Sequence, residues 1–178
     1  MRQVDTLRCE LQSGPRHFRF CPDRNYLYLL YELKNVVDVY HFSEGEKDSE
    51  VKLEKLQTIS THNDKENNPL IAACQMRFSP DPDASHLFVS NAGINTITIY
   101  DRDKATGLLT MKGSLPIAGE YPKDFCIFPD EKHLAVANNE SGTITFFNID
   151  YEQGLLTMCA RELEVDEPNS ICMVECRG

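Results

Sequence analysis

The sequence predicts an all-β fold, a β-propeller of four-stranded antiparallel blades with about three blades and part of a fourth. The first observation is a repeat: a strand-rich unit recurs along the chain, and its turn prolines Pro22, Pro80 and Pro129 lie 58 and then 49 residues apart. Propeller blades recur every 40 to 50 residues, roughly, so the second interval matches that spacing, and the polar loop over 61–68 lengthens the first. In addition, no window shows a sustained 3.6-residue apolar period, so helices are not expected.

Each unit begins with three strands that follow one another through short turns. It opens with a short apolar run, breaks at a Pro-Asp turn, continues into a β-rich run, and after a polar turn ends in an alternating β-branched and aromatic run. The segments that align in this way are 18–42, 76–100 and 125–149. Consecutive strands joined by tight turns pair antiparallel, so each segment predicts a three-stranded meander.

A fourth strand follows each segment and completes the blade. It is predicted over 51–59, 108–115 and 155–163, and turn-like Thr-Gly and Gln-Gly pairs introduce the last two. The predicted blades extend over about 15–60, 72–116 and 121–164, with a closing strand at 168–176, in one partial propeller domain that spans 1–178. A β-sandwich is the main alternative, but whole meanders repeat here, whereas a sandwich favours Greek-key connections.

Charge and composition narrow the class of protein. The formal net charge of −10, from 18 Lys and Arg against 28 Asp and Glu, predicts no general binding to nucleic acid or to an anionic membrane surface. No run approaches the roughly 20 apolar residues of a membrane span and the first residues lack a signal-peptide core, so a cytoplasmic location is expected. The 7 cysteines include no CxxC pair, which disfavours a disulfide framework and a zinc site. Cys172 is expected to be a buried thiol.

Equivalent positions of the repeat form rings around the propeller axis, because the first strand of each blade lines the central channel. Near one mouth of this channel, polar residues occupy three successive rings, although the adjoining Phe18, Met76 and Phe125 stay apolar. The rings consist of Arg16, Cys74 and Lys123; of His17, Gln75 and Asp124; and of Glu32, Ala92 and Asn139, with Asn169 and Ser170 extending the first two. This local polar cluster predicts a ligand site.

The chemistry of the rings centres on His17, which titrates near neutral pH and can accept and return a proton. Arg16 and Lys123 offer N–H donors to a carboxylate, a phosphate or a developing oxyanion. Glu32 either orients His17 or acts as an acid or base itself. The alternative interpretation is structural: Arg16 and Glu32 form an ordinary ion pair at a blade edge, and His17 is a hydrogen-bonded strand residue.

Several motifs at and around these positions are shared with one enzyme family. They are Gly14-Pro15-Arg16-His17-Phe18, Tyr31-Glu32-Leu33, Ser79-Pro80-Asp81, Leu87-Phe88-Val89-Ser90-Asn91, Tyr121-Pro122-Lys123-Asp124-Phe125 and Pro168-Asn169-Ser170-Ile171-Cys172. On these motifs the chain resembles the seven-bladed propeller lactonases, which include bacterial 6-phosphogluconolactonases and the fungal carboxymuconate cyclase. It resembles the C-terminal half of that fold.

The resemblance implies hydrolysis of a sugar lactone such as 6-phosphogluconolactone, with catalytic roles for Arg16, His17 and Glu32. In this scheme His17 activates water, Arg16 stabilises the oxyanion and Glu32 positions His17, and neither a metal nor another cofactor is required. The ligand is then a small anionic sugar lactone or sugar acid. The residues predicted to bind it are Lys123, Gln75, Asp124 and Asn139.

Three positions depart from the family's usual residues and support other functions. Gln75 stands where members commonly have Glu, and Ala92 and Lys123 stand where they have Arg. These departures favour a second hypothesis, a non-catalytic propeller that binds a sugar acid or a protein at the same mouth. A third, cyclase-like isomerisation of a tricarboxylate, needs more cationic groups than this ring holds.

Closure of the propeller adds an expectation about partners. A propeller protects its sheet faces by radial closure, and three blades with a remnant leave the inner faces of the first and last blades uncovered by neighbours. We therefore expect the chain to pair with a missing N-terminal half, to pair with a second copy, or to aggregate.

Overall fold

The computed structural model describes residues 6–45, 51–63 and 69–174, and the regular secondary structure in these residues is all β. Blade 1 contains β1 (Pro15–Phe20), β2 (Tyr26–Tyr31), β3 (Val36–Glu44) and β4 (Val51–Ser60). Blade 2 contains β5 (Ala72–Phe78), β6 (His86–Ala92), β7 (Thr96–Arg102) and β8 (Leu109–Pro116). Blade 3 contains β9 (Pro122–Ile127), β10 (His133–Asn138), β11 (Thr143–Asp150), β12 (Leu155–Met158) and β13 (Leu163–Glu164).

Each blade is an antiparallel meander in which strands adjacent in the chain are hydrogen-bonded neighbours. In blade 3 the short β13 also pairs with β11. The predicted fold class is therefore confirmed: the chain is all-β and forms three blades of an unclosed propeller. The described residues contain no helix with the length and apolar character needed to cross a bilayer.

The two most C-terminal strand predictions differ from the structure. The fourth strand of blade 3, predicted as continuous over 155–163, is divided into β12 and β13, which pair with opposite ends of β11. The intervening Ala160, Arg161 and Glu162 are exposed and include no β-branched, aromatic or other large apolar side chain that would pack against the sheet and favour strand pairing. The closing strand predicted at 168–176 is not formed over 168–174, because the Ile171 amide donates to the Asp124 carboxylate instead of to a strand. Residues 175 and 176 lie outside the described residues.

The blades pack face to face through two apolar clusters. The buried residues between blades 1 and 2 include Tyr28, Leu30, Met76 and Val89, and those between blades 2 and 3 include Phe88, Ile99, Phe125 and Val136. Successive residues of a strand point to opposite faces, so a strand with neighbours on both faces is apolar along its length. In β2, Tyr26, Tyr28 and Leu30 face blade 2, whereas Leu27, Leu29 and Tyr31 form a smaller cluster within blade 1 against which Cys9 of the preceding segment packs, so all six residues are buried.

The innermost strands β1, β5 and β9 lie side by side, and in blades 1 and 2 a turn asparagine is bonded to the entry of the next inner strand. Asn35, Asn95 and Gly142 occupy the turn after the second strand, with φ values of 53°, 52° and 62° that asparagine and glycine tolerate best. The Asn35 side chain accepts a hydrogen bond from the Ala73 amide (2.9 Å), and Asn95 accepts one from the Tyr121 amide (3.0 Å). Each asparagine thus fastens the entry of the next inner strand to its own blade.

Candidate functional site

The first predicted ring coincides with a β-bulge in every blade. In blade 1, Pro15 lies opposite Tyr31 but His17 lies opposite Leu30, so Arg16 is the extra residue of β1. The same shift leaves Cys74 extra in β5 and Lys123 extra in β9. A bulge bends the strand and turns the extra side chain out of the regular alternation, and bulges often occur beside active sites. The repeat therefore places a bulge at the entry of each inner strand.

Arg16 connects blade 1 to blade 2 and also holds Glu32. Its Nη1 lies 2.8 Å from Glu32 Oε2, and its Nε donates to the Cys74 carbonyl at 2.7 Å. Burial alone would lower the pKa of Arg16, but the bond to Glu32 raises it overall, so the guanidinium stays charged. The ion pair of the structural alternative is thus present, and it places Glu32 on Arg16, whereas the sequence-based scheme had Glu32 position His17.

His17 is partly buried beside this ion pair. Burial lowers its pKa, and the positive charges of Arg16 and Arg19 lower it further. A hydrogen bond with the Cys74 backbone and the charge of Asp124 act in the opposite direction but are weaker. The imidazole is therefore neutral at neutral pH, which is the form that can accept a proton from water.

Asp124 is the centre of a buried hydrogen-bond network. Its side chain is 5% exposed, and its oxygens accept bonds from Gln75 Nε2 (2.9 Å), Arg77 Nη2 (2.9 Å), Ser170 Oγ (2.9 Å) and the Ile171 amide (3.0 Å). Burial alone would raise the pKa of Asp124, but these bonds hold it below its ordinary value. Asp124 thus joins blades 2 and 3 to the C-terminal segment, which is residues 168–174 of the described chain. A direct substrate contact by Asp124 or Gln75 stays a prediction.

Lys123 and Asn139 lie at the same end of blade 3 but have different surroundings. Lys123 is partly exposed and has no ion pair in the described residues, and its charge acts on the Cys74 thiol of blade 2. Asn139 donates to the Pro168 carbonyl at 3.4 Å and so contacts the C-terminal segment. The structure thus brings Arg16, His17 and Glu32 together around Cys74 with Lys123 nearby, and it ties Asn139 to that segment.

Three residues near the site were not predicted. Arg19 and Arg77 occupy equivalent positions three residues beyond the bulges, and both lie close to ring residues. Tyr121 lies near Arg16 and Glu32, and burial raises its pKa. The sequence contained a signal for the two arginines, because the residue three positions after the first ring is Arg in both blade 1 and blade 2.

The predictions for Cys172 and for a metal site can both be compared with the structure. Cys172 is exposed, so the prediction of a buried thiol is wrong; it lies in the C-terminal segment that forms no strand and therefore has no sheet above it. Among residues 6–45, 51–63 and 69–174, no group of three or more His, Cys, Asp or Glu side chains is placed to hold a metal ion.

The comparison with protein families gives one match that spans almost the entire chain. Residues 1–174 match the family described as "Lactonase, 7-bladed beta-propeller". Among curated proteins, the chain is 31% identical over 129 residues to a 6-phosphogluconolactonase of Formosa agariphila, an alignment that covers 71% of this chain and 34% of that protein. The chain thus spans about a third of the length of this relative.

Solved structures of lactonase-type proteins superpose on this chain. A Bacteroides fragilis protein described as a candidate 6-phosphogluconolactonase superposes with a TM-score of 0.81 at 29% identity, covering 95% of this chain and 44% of that one. The periplasmic gluconolactonase of Pseudomonas aeruginosa superposes with a TM-score of 0.80 at 27% identity, covering 91% and 43%. The similarity extends over the three blades and less than half of either relative.

Proposed function

Because the chain belongs to the seven-bladed β-propeller lactonase family, we propose that the cluster around His17 hydrolyses a sugar lactone, with 6-phosphogluconolactone as the substrate. The observation that carries this proposal is the position of His17: a partly buried imidazole with a lowered pKa, next to the bulged Arg16 at the entry of the inner strand β1. A neutral base beside a fixed cation is the pairing that ester hydrolysis requires.

The reaction follows from these two groups. His17 accepts a proton from a water molecule as its oxygen attacks the lactone carbonyl carbon. The carbonyl oxygen becomes an oxyanion, and on collapse the ring C–O bond breaks. The departing alkoxide then takes the proton back from His17, so one water is added and a hydroxy acid is released.

The cations around His17 have separate roles in this scheme. A guanidinium carries five N–H donors, and the bonds of Arg16 to Glu32 and Cys74 leave others for the oxyanion. Glu32 acts as a positioning residue, because its ion pair fixes the direction of Arg16. Lys123, which has no ion pair in the described residues, binds the anionic arm of the substrate.

A second candidate function is binding of a sugar acid without catalysis. The observation that favours it is the blade 2 contribution to the rings, where Cys74 and Ala92 are fully buried and bring no charge. Arg16 and Lys123 are then the cations left to hold a carboxylate, and they serve a bound acid as well as a reacting lactone.

The test compares His17→Asn with His133→Gln, a matched control in which the histidine is exposed and bonds Asp130 away from the rings. We expect His17→Asn to lower kcat/KM for lactone hydrolysis about 100-fold or more and His133→Gln to leave it unchanged. Activity should fall as pH drops through a pKa below the usual value of about 6.5, because the protonated imidazole cannot accept a proton.

Arg16→Gln provides a second measurement on the acid side of the pH profile, where activity falls as His17 is protonated. Removing this cation raises the pKa of His17, so the acid limb should move to higher pH. Retention of full activity by His17→Asn contradicts the proposal. Binding of gluconate by a wild-type chain that hydrolyses no lactone supports the second candidate.

A further inference from the structure

A cavity of about 380 Å³ lies between the inner strands and the C-terminal segment. Arg19 and Arg77 line it from two neighbouring blades, and Cys126 and residues 171–173 line it from blade 3 and beyond. The rest of its lining is apolar. This open cavity therefore combines two cations with an apolar lining.

The two arginines are only partly neutralised. Arg77 donates through Nη2 to Asp124, while its Nε is buried and has no hydrogen-bond partner. Arg19 forms no ion pair or hydrogen bond within the described part of the chain. Among the described residues, none that lines the cavity is acidic. A buried donor without a partner costs free energy, so a ligand that accepts from Arg77 Nε would stabilise the folded chain.

We propose that Arg19 and Arg77 bind a phosphate group in this cavity. Guanidinium groups match the oxygens of a phosphate with pairs of N–H donors and remain charged throughout the physiological pH range. The formal net charge of −10 opposes anion binding to the chain as a whole, so the local charge of the two guanidinium groups is what attracts a small anion to this site.

The source of the phosphate is either inorganic phosphate or the phosphate arm of a ligand whose other end lies at the mouth. The cavity adjoins the His17 cluster, since the charge of Arg19 acts on His17 and Arg77 holds Asp124. Phosphate binding does not depend on the proposed hydrolysis: a chain that hydrolyses no lactone can still bind phosphate here, and the experiment below measures binding alone.

The experiment titrates inorganic phosphate into the 178-residue chain by calorimetry at neutral pH and low ionic strength. Arg19→Gln removes a cation that forms no ion pair or hydrogen bond with another described residue, so the fold should be retained. Arg161→Gln removes the same charge from an exposed position outside the cavity and is the matched control. We expect saturable binding that weakens about tenfold or more in Arg19→Gln and is unchanged in Arg161→Gln.

An NMR titration of the His17 ring reports on the same site. Bound phosphate offsets the charge of Arg19, so the pKa of His17 should rise when phosphate is added, and this rise should be absent in Arg19→Gln. If Arg19→Gln does not fold, Arg19→Lys replaces it: the charge is kept, the paired donors are lost, and phosphate should bind more weakly than to wild type.

Competition with 6-phosphogluconate and gluconate identifies the source of the phosphate. If 6-phosphogluconate displaces inorganic phosphate and gluconate does not, the cavity receives the arm of a ligand. If neither displaces it, the cavity is a separate phosphate site. Absence of saturable binding to wild type, or equal weakening in Arg19→Gln and Arg161→Gln, overturns the proposal.

Discussion

One repeated position of the inner strands is buried in blades 2 and 3 but exposed in blade 1. Phe18, Met76 and Phe125 each follow the polar rings by one residue in their inner strand. Met76 and Phe125 are fully buried, because the preceding blade packs on their face. Phe18 is 60% exposed. Its face of blade 1, which also carries Phe20 and Phe42 in edge-to-face contact at 5.2 Å, is called the front face below.

The difference shows that the apolar residue at this position is suited to packing against a preceding blade. Among the described residues, blades 2 and 3 have such a preceding blade and blade 1 does not. Blade 1 covers the corresponding face of blade 2, and blade 2 covers that of blade 3. Phe18 has the same residue type and register as Phe125, so its exposure reflects the neighbour alone. An exposed aromatic cluster of this kind marks an interaction surface.

The largest effect is expected on association of the chain. Covering a blade face typically removes several hundred Å² of apolar surface, which at about 25 cal/mol per Å² amounts to a free energy on the order of 10 kcal/mol. We propose that the front face binds a blade of a second copy of the chain. Light scattering across a concentration series should show that the apparent mass of the wild-type chain rises with concentration.

The double substitution Phe18→Glu and Phe20→Glu should abolish this rise, because two carboxylates would be buried in the contact. Leu108→Glu is the matched control, since Leu108 is also exposed but lies just before β8 in blade 2, whose two faces are both covered by neighbouring blades. A wild-type chain that stays monomeric at every concentration would contradict the expectation, as would equal dissociation of the control.

The next largest effect is expected on the free energy of unfolding, when the buried Phe125 and the exposed Phe18 are each replaced by alanine. Phe125→Ala should lower the free energy of unfolding by about 3 to 5 kcal/mol, because it leaves a cavity between blades 2 and 3. Phe18→Ala should change it by about 0.5 kcal/mol or less, as exposed substitutions usually do. Urea denaturation of both variants, at a concentration where light scattering shows monomers, measures the difference. Equal losses would mean that the front face is covered.

The smallest effect is expected at the junctions between blades. Asn35→Gly keeps the left-handed turn but removes the side-chain bonds to Ile71 and Ala73, so unfolding should become easier by about 1 to 2 kcal/mol. Asn95→Gly removes one such bond and should cost about 1 kcal/mol. Gly142→Asn should be close to neutral, since asparagine tolerates this φ. Thermal unfolding of the three variants gives the order, and a Gly142→Asn effect as large as that of Asn35→Gly would contradict the role assigned to the asparagines.

Strand order, turns and ring membership could be predicted because they repeat. Each Pro-Asp turn and each alternating run reports local geometry, and three copies of one pattern make the register of the inner strands evident. The fourth strand of blade 3 and the segment after 168 were predicted less well. Their residues contact the sheet only in part, so local sequence carries less information about them.

The site was predicted as a set of positions but without its contacts. Counting along the repeat placed Arg16, Cys74 and Lys123 in one ring, which is where the bulges are found. It did not predict that Glu32 pairs with Arg16, because a pairing depends on which side chains can reach each other across blades. The catalytic and substrate-binding roles stay predictions that the experiments above test.

The sequence by itself determined the all-β class, the blade period and the level of each residue along the channel, since these follow from hydrophobic alternation and turn chemistry within one unit. Only the tertiary structure decided that Asp124 is the centre of a buried network, that Arg19 and Arg77 share a cavity, and that Phe18 is exposed where Phe125 is buried. The reason is physical: burial and charge pairing arise between units, and they depend on which neighbour covers each face.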